Sequence, residues 1–307
     1  MSAPVPNGRR VVPLDVVARL VSTQFPHWAG LPLTRIEPGG WDNCSFRLGD
    51  TMLVRLPSAP WYANQVAREQ FWLPRLALKL PLAIPRPLAM GLPSDEFAMA
   101  WSVYEWINGG PATTAEIADR ATFARMLAGF LAALQRIDPD DGPPPSTDNF
   151  WRGGRLAHYD AEVHSAVDRL GNAIERNRVL AVWSAALATV HQGPPVWLHG
   201  DVAPGNLLVQ SGRLHAVIDF GQCAVGDPAC DLAIAWTYFD ATARLIFKET
   251  LGVDSGCWSR GRGWALWKTL VVAAGISGAD SVSRDRALNS ISTIISTTSE
   301  GPTASTD

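Results

Sequence analysis

The segment from Val196 to Gly221 reads VWLHGDVAPGNLLVQSGRLHAVIDFG and carries the densest chemistry of the chain. His199-Gly200-Asp201 comes first. Asn206 follows that aspartate by five residues, and Asp219-Phe220-Gly221 begins thirteen residues beyond Asn206. Moving a phosphoryl group from a nucleotide to a hydroxyl passes through a loose transition state, so a protein contributes mainly positioning and charge neutralisation. The reaction needs oxygen ligands for magnesium, a cation on the phosphates and an acceptor for the hydroxyl proton. Magnesium takes carboxylate and carboxamide oxygens in octahedral geometry, and Asp219 and Asn206 offer one of each. Asp201 is left as the proton acceptor. Its pKa has no need to be high, because the hydroxyl gives up its proton late.

Each piece alone has a plainer reading. A buried histidine that orders a loop, followed by an aspartate that caps a helix or pairs with a base, also produces His-Gly-Asp. Asp-Phe-Gly occurs at turns by chance. The plain readings leave the ordered spacing unexplained, with each polar residue following an apolar, strand-like run.

The elements that must hold these residues follow from periodicity. Leu14 to Phe25 has a helical stripe of Leu14, Val17, Leu20 and Val21. Leu33–Glu37, Cys44–Leu48 and Thr51–Leu56 read as strands, joined by a turn over residues 38–43 and a hairpin at Gly49-Asp50. Tyr62 to Leu73 reads as a helix that Pro74 should break or restart. Pro81, Pro85 and Pro87 force extended chain, and Phe97 to Ile107 reads as a further strand. Asn108-Gly109-Gly110-Pro111 is the natural boundary between two lobes. Thr113 with Glu116 suggests a capping box ahead of a long helix reaching Ile137. Residues 138–154 read as loop. Helices are expected near 158–170 and 177–191. Val196–Leu198 is a short strand, and Asn206–Gln210 with Leu214–Ile218 a hairpin. Helices are expected again near 228–239, 241–251, 263–276 and 284–296, and the tail from Thr297 should fray.

Composition narrows the class. The chain has 307 residues, is about half apolar, and has a formal net charge of −3 with no basic run. That argues against nucleic acid or an anionic membrane as partner. The longest apolar stretches are too short to span a bilayer, and no signal peptide is visible in residues 1–10. The four cysteines, Cys44, Cys223, Cys230 and Cys257, lack paired spacing. A zinc site is disfavoured and a reduced, cytoplasmic protein is the default. Cys223 reads as packing. Thirteen tryptophans read mostly as core, with Trp151, Trp258 and Trp264 near glycine-rich turns as candidates for a cleft.

With these residues in view, the chain resembles the aminoglycoside phosphotransferase family, the antibiotic-kinase branch of the protein-kinase-like fold. Within it, the chain is most similar to macrolide-phosphotransferase-type members. The segments that carry the resemblance are GGWDNCSFRL, MLVRLP, the helix bearing Glu69, WSVYEWINGG, HGDVAPGN, VIDFG and GDPACDLA, which together span residues 39–233. The resemblance implies that Asp201 is the catalytic aspartate and that Asn206 and Asp219 hold Mg2+. Arg55 would grip the nucleotide phosphates, paired with Glu69. The backbone from Tyr104 to Trp106 would read adenine, and the turn at Gly39-Gly40 would cover the phosphates. His199 would order the catalytic loop, and Asp227 and Asp231 would brace the metal loop. Two departures stand out. Arg55 occupies a place where most kinases carry lysine, although a guanidinium also grips phosphate and macrolide-type members carry arginine there. No GxGxxG is present. Judged alone, Arg55 could be a surface strand residue and Glu69 a solvated helix residue.

The fold so implied is α+β and two-lobed. Residues 1–107 would form a nucleotide-binding lobe with a five-stranded antiparallel sheet, and residues 108–307 a mainly helical lobe for catalysis and substrate binding. The expected activity is transfer of the γ-phosphoryl group of ATP or GTP to a hydroxyl of an antibiotic, a macrolide or an aminoglycoside. The few acids after Tyr238 tilt this toward a less cationic acceptor. A metabolite alcohol such as choline, homoserine or a sugar is the alternative acceptor. A nucleotide-binding protein without turnover is the alternative class, and the intact Asp201, Asn206 and Asp219 argue against it.

Overall fold

The computed structural model describes residues 4–5, 9–37, 39, 42–277 and 281–297. Pro4–Val5 (β1) pairs with Arg9–Arg10 (β2), and helix α1 spans Leu14–Gln24. A five-stranded antiparallel sheet follows. Its strands are Leu33–Arg35 (β3), Asn43–Leu48 (β4), Met52–Pro57 (β5), Pro87–Gly91 (β6) and Trp101–Glu105 (β7), in the order β3-β4-β5-β7-β6. Alternation along β5 buries Met52, Val54 and Leu56 and leaves Leu53 and Arg55 on the other face. The buried set packs with Phe46, Trp101, Val103 and the apolar stripe of α1. Arg55 is thereby delivered to the face that looks toward helix α2, Ala63–Ala77.

That helix runs through Pro74 instead of breaking at it. Leu73 and Leu76, on either side of the proline, are both fully buried in the main core. Burial there outweighs the lost backbone hydrogen bond. Gly110–Pro111 (β8) then joins Leu207–Gln210 (β10) and Arg213–Val217 (β11) in a three-stranded sheet. The hairpin between β10 and β11 turns on Ser211 and Gly212, both at positive φ.

Helix α3 spans Arg120–Gln135. Its cap is Asp119, which accepts from the backbone N–H groups of Ala121 and Thr122. The expected cap at Thr113 lies six residues before the observed one, because Ala112–Ala118 is instead tied to the β10–β11 hairpin by Ala112 N–H to Leu207 O and Ala118 N–H to Gly212 O. Helices α4 (Asp160–Leu170) and α5 (Arg176–Leu187) follow. Val196–Leu198 (β9) pairs with Ala224–Gly226 (β12). The expected helix near 228–239 is a 3-10 segment, Pro228–Ala233, continued by a four-residue α6, Ile234–Thr237.

Helices α7 (Ala241–Leu251), α8 (Ser255–Ala273) and α9 (Ser281–Ser296) complete the helical half. Helix α8 starts eight residues before the expected start, capped by Asp254. Its glycines are interior helix positions and not turns. A Cβ on Gly261 would lie 2.6 Å from Leu232 Cβ, and one on Gly263 would lie 2.6 Å from Ala186 Cβ. The glycines therefore permit close helix packing. Trp264, the residue after Gly263 and almost fully buried, is core and does not line a cleft. No helix among the described residues is long and apolar enough to cross a membrane.

Candidate active site

The strand pair β9–β12 fixes the frame. Trp197–Leu198 leads directly into His199-Gly200-Asp201, and β12 follows the Asp219-Phe220-Gly221 turn, so both motifs leave one two-stranded ladder. His199 is fully buried and ties them together. Its Nδ1 accepts from the Asp201 N–H at 3.2 Å, so Nε2 carries the proton and donates to Ile218 O at 3.0 Å. The ring lies 4.6 Å from that of Phe220, edge to face. Gly200 has φ +86°, and a Cβ there would come within 2.3 Å of Gln222 O, so no other residue fits this bend without displacing the backbone.

Asp231 accepts from the N–H groups of His199 (2.7 Å) and Gly200 (2.8 Å). It braces the His-Gly-Asp loop and not the metal loop. Asp227 forms a two-contact pair with Arg260, at 2.6 and 3.2 Å. It also caps the Pro228 segment through the Ala229 N–H.

Asn206 is tied to Asp201 through its side chain and to the residue before Asp219 through its backbone. Asn206 Nδ2 donates to Asp201 O at 2.9 Å and approaches Asp201 Oδ2 at 3.3 Å. Ile218 N–H donates to Asn206 O at 2.9 Å, which sets Asn206 beside the residue preceding Asp219. With its amide nitrogen committed to Asp201, Asn206 presents Oδ1 as the free donor, as an oxygen-binding cation requires. Asp219 adopts φ +70°, a left-handed conformation unusual for a non-glycine and frequent at functional sites. Among the described residues no group of three or more His, Cys, Asp or Glu side chains could hold a metal ion. One carboxylate and one carboxamide, with phosphates and water completing the shell, is nevertheless a donor set that magnesium accepts.

Arg55 sits between two acids. Its Nη2 lies 2.8 Å from Asp219 Oδ1 and its Nη1 lies 3.5 Å from Glu69 Oε1. Burial works against the guanidinium's charge, but Asp219 and Glu69 outweigh it and hold Arg55 more firmly protonated. Glu69 is buried, and that burial pushes its carboxyl up despite Arg55. Its Oε2 accepts from the Tyr104 hydroxyl at 2.5 Å, whereas Oε1 has no hydrogen-bond partner. Neither residue is on the surface.

Tyr104 is thus part of this buried chain through its side chain. The Glu105 N–H donates to Arg86 O and the Trp106 N–H to Thr51 O. The Trp106 indole donates to Asn108 Oδ1. Gly39 is exposed, and nothing lies within 4 Å of where its Cβ would be. Gly40 lies outside the described residues.

Four contributors escaped the sequence reading. Lys268 on α8 places Nζ 2.5 Å from Asp201 Oδ1. Arg152 is buried, with Nε donating to Gln222 Oε1 at 2.9 Å. Arg68 on α2 donates to Gly221 O at 2.9 Å and fixes the Asp-Phe-Gly turn. Asp42 is nearly buried, and burial followed by the charges of Asp219 and Asp201 pushes its carboxyl up to about 6. Lys268 and Arg152 stand in no recognisable motif, and Asp42 and Arg68 lie in segments that carry the resemblance without a role assigned to them there. Cys223 is packing, as expected, and burial pushes its thiol up to about 12.

Burial also pushes Asp201 up, but Lys268 and Arg152 outweigh it and the carboxyl ends at about 2. A depressed value of this kind contributes stability above the ordinary carboxylate range and loses it as the pH falls through about 2. Lys268→Met removes the nearest cation and leaves the burial. The Asp201 pKa of the metal-free protein, followed by carboxyl-carbon NMR titration, should rise by about one unit or more. An unmoved value would mean that Lys268 does not set the charge of Asp201.

The model of the phosphotransferase enzyme family matches residues 33–265, well over half of the chain. The chain belongs to this family and is a phosphotransferase with a hydroxyl group as acceptor. Its kinase-like fold is shared with solved antibiotic kinases. The GDP complex of wild-type aminoglycoside 2'-phosphotransferase-IIIa aligns with a TM-score of 0.71 at 16% identity, over 92% of this chain and 98% of that one. The apoenzyme of macrolide 2'-phosphotransferase MphH from Brachybacterium faecium aligns with a TM-score of 0.59 at 21% identity, over 91% and 97%. The streptomycin–ATP ternary complex of APH(2")-IIa aligns with a TM-score of 0.60 at 16% identity, over 94% and 99%. At these identities the likeness is one of fold, and it includes kinases of both antibiotic classes. A search of curated proteins found no significant match.

Proposed function

We propose that the protein is a magnesium-dependent small-molecule kinase that moves the γ-phosphoryl group of ATP or GTP to a hydroxyl. The observation that supports this reading is that Asn206 is bonded to Asp201 and, through Ile218, to the residue before Asp219, with Arg55 on Asp219. Asp201 takes the acceptor's proton. Asn206 Oδ1 and Asp219 are the oxygen donors for Mg2+, which when bound neutralises phosphate charge. Arg55 grips the phosphates, and Glu69 and Tyr104 hold Arg55 in place. Because the Glu105 and Trp106 N–H groups are already engaged, the adenine edge would be read by carbonyls of this segment or by Ile107. The lobe division at residues 107 and 108 belongs to the same reading. So does a cytoplasmic location, where nucleoside triphosphate and reduced thiols coexist.

The resemblance to antibiotic kinases offers a macrolide or an aminoglycoside as acceptor, with resistance as the outcome. Lys268 and Arg152 beside Asp201 weigh against a polycationic aminoglycoside. They favour the second reading, a metabolite alcohol. Purified protein with ATP or GTP and Mg2+ should add one phosphate group, detected by mass spectrometry, to a member of a panel of antibiotics and small alcohols. Nucleotide binding without any phosphorylated product would instead support a non-catalytic nucleotide-binding protein. Asp219→Ala should remove the magnesium dependence of nucleotide affinity. An unchanged magnesium titration in calorimetry would end its assignment as a metal ligand.

A further inference from the structure

Two cations, Lys268 and Arg152, act on Asp201, and only Lys268 is in ion-pair contact with it. Lys268 Nζ and Asp201 Oδ1 form a one-to-one pair, both side chains about a quarter exposed. Behind them Arg152 is only 7% exposed. Its guanidinium carbon lies 4.9 Å from the Trp267 ring centre and 5.5 Å from that of Trp264. Its Nε is spent on the neutral Gln222, and Nη1 is buried with no hydrogen-bond partner. No ion pair among the described residues includes Arg152.

Asp231 is a second carboxylate within the field of Lys268, but no nearby acid is in ion-pair contact with Arg152. Asp231 spends both oxygens on the His199 and Gly200 N–H groups. Glu162 is exposed and accepts from the Trp267 indole at 2.8 Å. The loop that carries Arg152 also bears backbone strain, with Phe150 and Trp151 consecutively at φ 52° and 54°. A buried guanidinium nitrogen without a partner is costly, and strain of this kind gathers at functional sites.

We propose that the acceptor is a small hydroxy acid, whose carboxylate meets the ammonium of Lys268 while the guanidinium of Arg152, which has no ion-pair partner of its own, attracts it from behind. The kinase reading supplies the hydroxyl chemistry, and the charge of the acceptor is what the two cations add. Any hydroxyl within hydrogen-bond reach of Asp201 Oδ1 necessarily lies beside Lys268 Nζ, so the acceptor's neighbouring group faces an ammonium. A carboxylate there gains a charge-assisted hydrogen bond, whereas an amine meets like charge. In the transfer step the acceptor oxygen bonds to the γ-phosphorus, and the bond from that phosphorus to the β–γ bridging oxygen breaks. The nucleoside diphosphate leaves with the electron pair, and the hydroxyl proton passes to Asp201. Arg152 touches no reacting atom and acts as a positioning residue through its field.

The test uses the full chain as its Mg·ADP complex. Glycerate, lactate, malate and 3-hydroxybutyrate are titrated by calorimetry against their methyl esters. At least one acid should bind more tightly than its ester. Lys268→Met and Arg152→Met should each weaken that binding by about 30-fold or more, and Arg152→Lys should restore part of it. If Arg152→Met does not fold, Lys268→Met, at a part-exposed position, decides.

Acids and esters that bind alike, or not at all, overturn the proposal. So does a variant that weakens ATP but not ADP, since the charge would then serve the γ-phosphate. An acid that binds in this charge-dependent way yet gains no phosphate from Mg·ATP leaves the anion site standing and defeats the kinase reading. Phosphorylation of kanamycin, or of a neutral alcohol, unaffected in Arg152→Met leaves the kinase reading and defeats the anion site.

Discussion

Asp201→Ala is expected to lower kcat for phosphoryl transfer by roughly 10²–10⁴-fold, the usual contribution of a positioned proton acceptor. The Kd for Mg·ATP should stay close to that of the parent protein. The separation follows from the contacts. The side chain of Asp201 meets Lys268 Nζ and Asn206 Nδ2. Its carbonyl, which the substitution preserves, takes the stronger of the two hydrogen bonds from Asn206. Asn206 therefore keeps its orientation, and the groups assigned to the nucleotide, Arg55 and Asp219, are untouched. The loop is also anchored independently by His199 and Asp231. Steady-state kinetics beside calorimetry with Mg·ADP checks both halves. Unchanged kcat removes the assigned role. A parallel loss of nucleotide affinity means that the carboxylate holds the loop and not the proton. Asp201→Asn sharpens the comparison, because it keeps shape and hydrogen bonding while removing the charge that pairs with Lys268.

The parts of this site legible in the sequence are those whose geometry is local. His199, Asp201, Asn206 and Asp219 lie on one strand–loop–hairpin unit, and their spacing encodes their proximity. Arg55 and Glu69 were legible only through the resemblance, since alternation along β5 and the stripe of α2 show a face but not what it faces. Lys268 is not legible because it lies inside an expected helix whose local pattern does not show that its side chain meets Asp201, 67 residues away in the chain. Gly261 and Gly263 of the same helix are small because Leu232, Leu156 and Ala186 press against them, a requirement imposed by other segments. Arg152 was lost inside a long Asp/Pro/Gly-rich loop, and Asp42 in a turn. In each case the partner that gives the charge its meaning is distant in the chain. Fold class depended less on such pairings. Alternation supplied four of the sheet's strands, and only β6 and the path through Pro74 needed tertiary packing to be seen.

Arg55→Ala should have the other large effect, and it should act on both stability and nucleotide binding. The guanidinium is the only cation in ion-pair contact with Glu69 and Asp219 among the described residues. Removing one member of a buried ionic group leaves the others uncompensated, a cost of about 3–5 kcal/mol. Glu69 lies deep, its Oε1 has no hydrogen-bond partner, and burial already pushes its carboxyl up. Without Arg55 that upward push loses its main opposition, and a shift toward the neutral acid relieves part of that cost. Asp219 would lose the contact that accompanies its left-handed backbone. The thermal midpoint should fall, and the KM for Mg·ATP should rise by about tenfold or more, as for a lost charge-assisted contact. Arg55→Lys separates the two roles. An ammonium is a point charge that cannot reproduce a fork reaching both Nη1 to Glu69 and Nη2 to Asp219. It should recover most of the stability but only part of the nucleotide affinity. A lysine variant with full affinity would show that the fork is dispensable. An alanine variant with an unchanged midpoint would contradict the buried ionic chain itself.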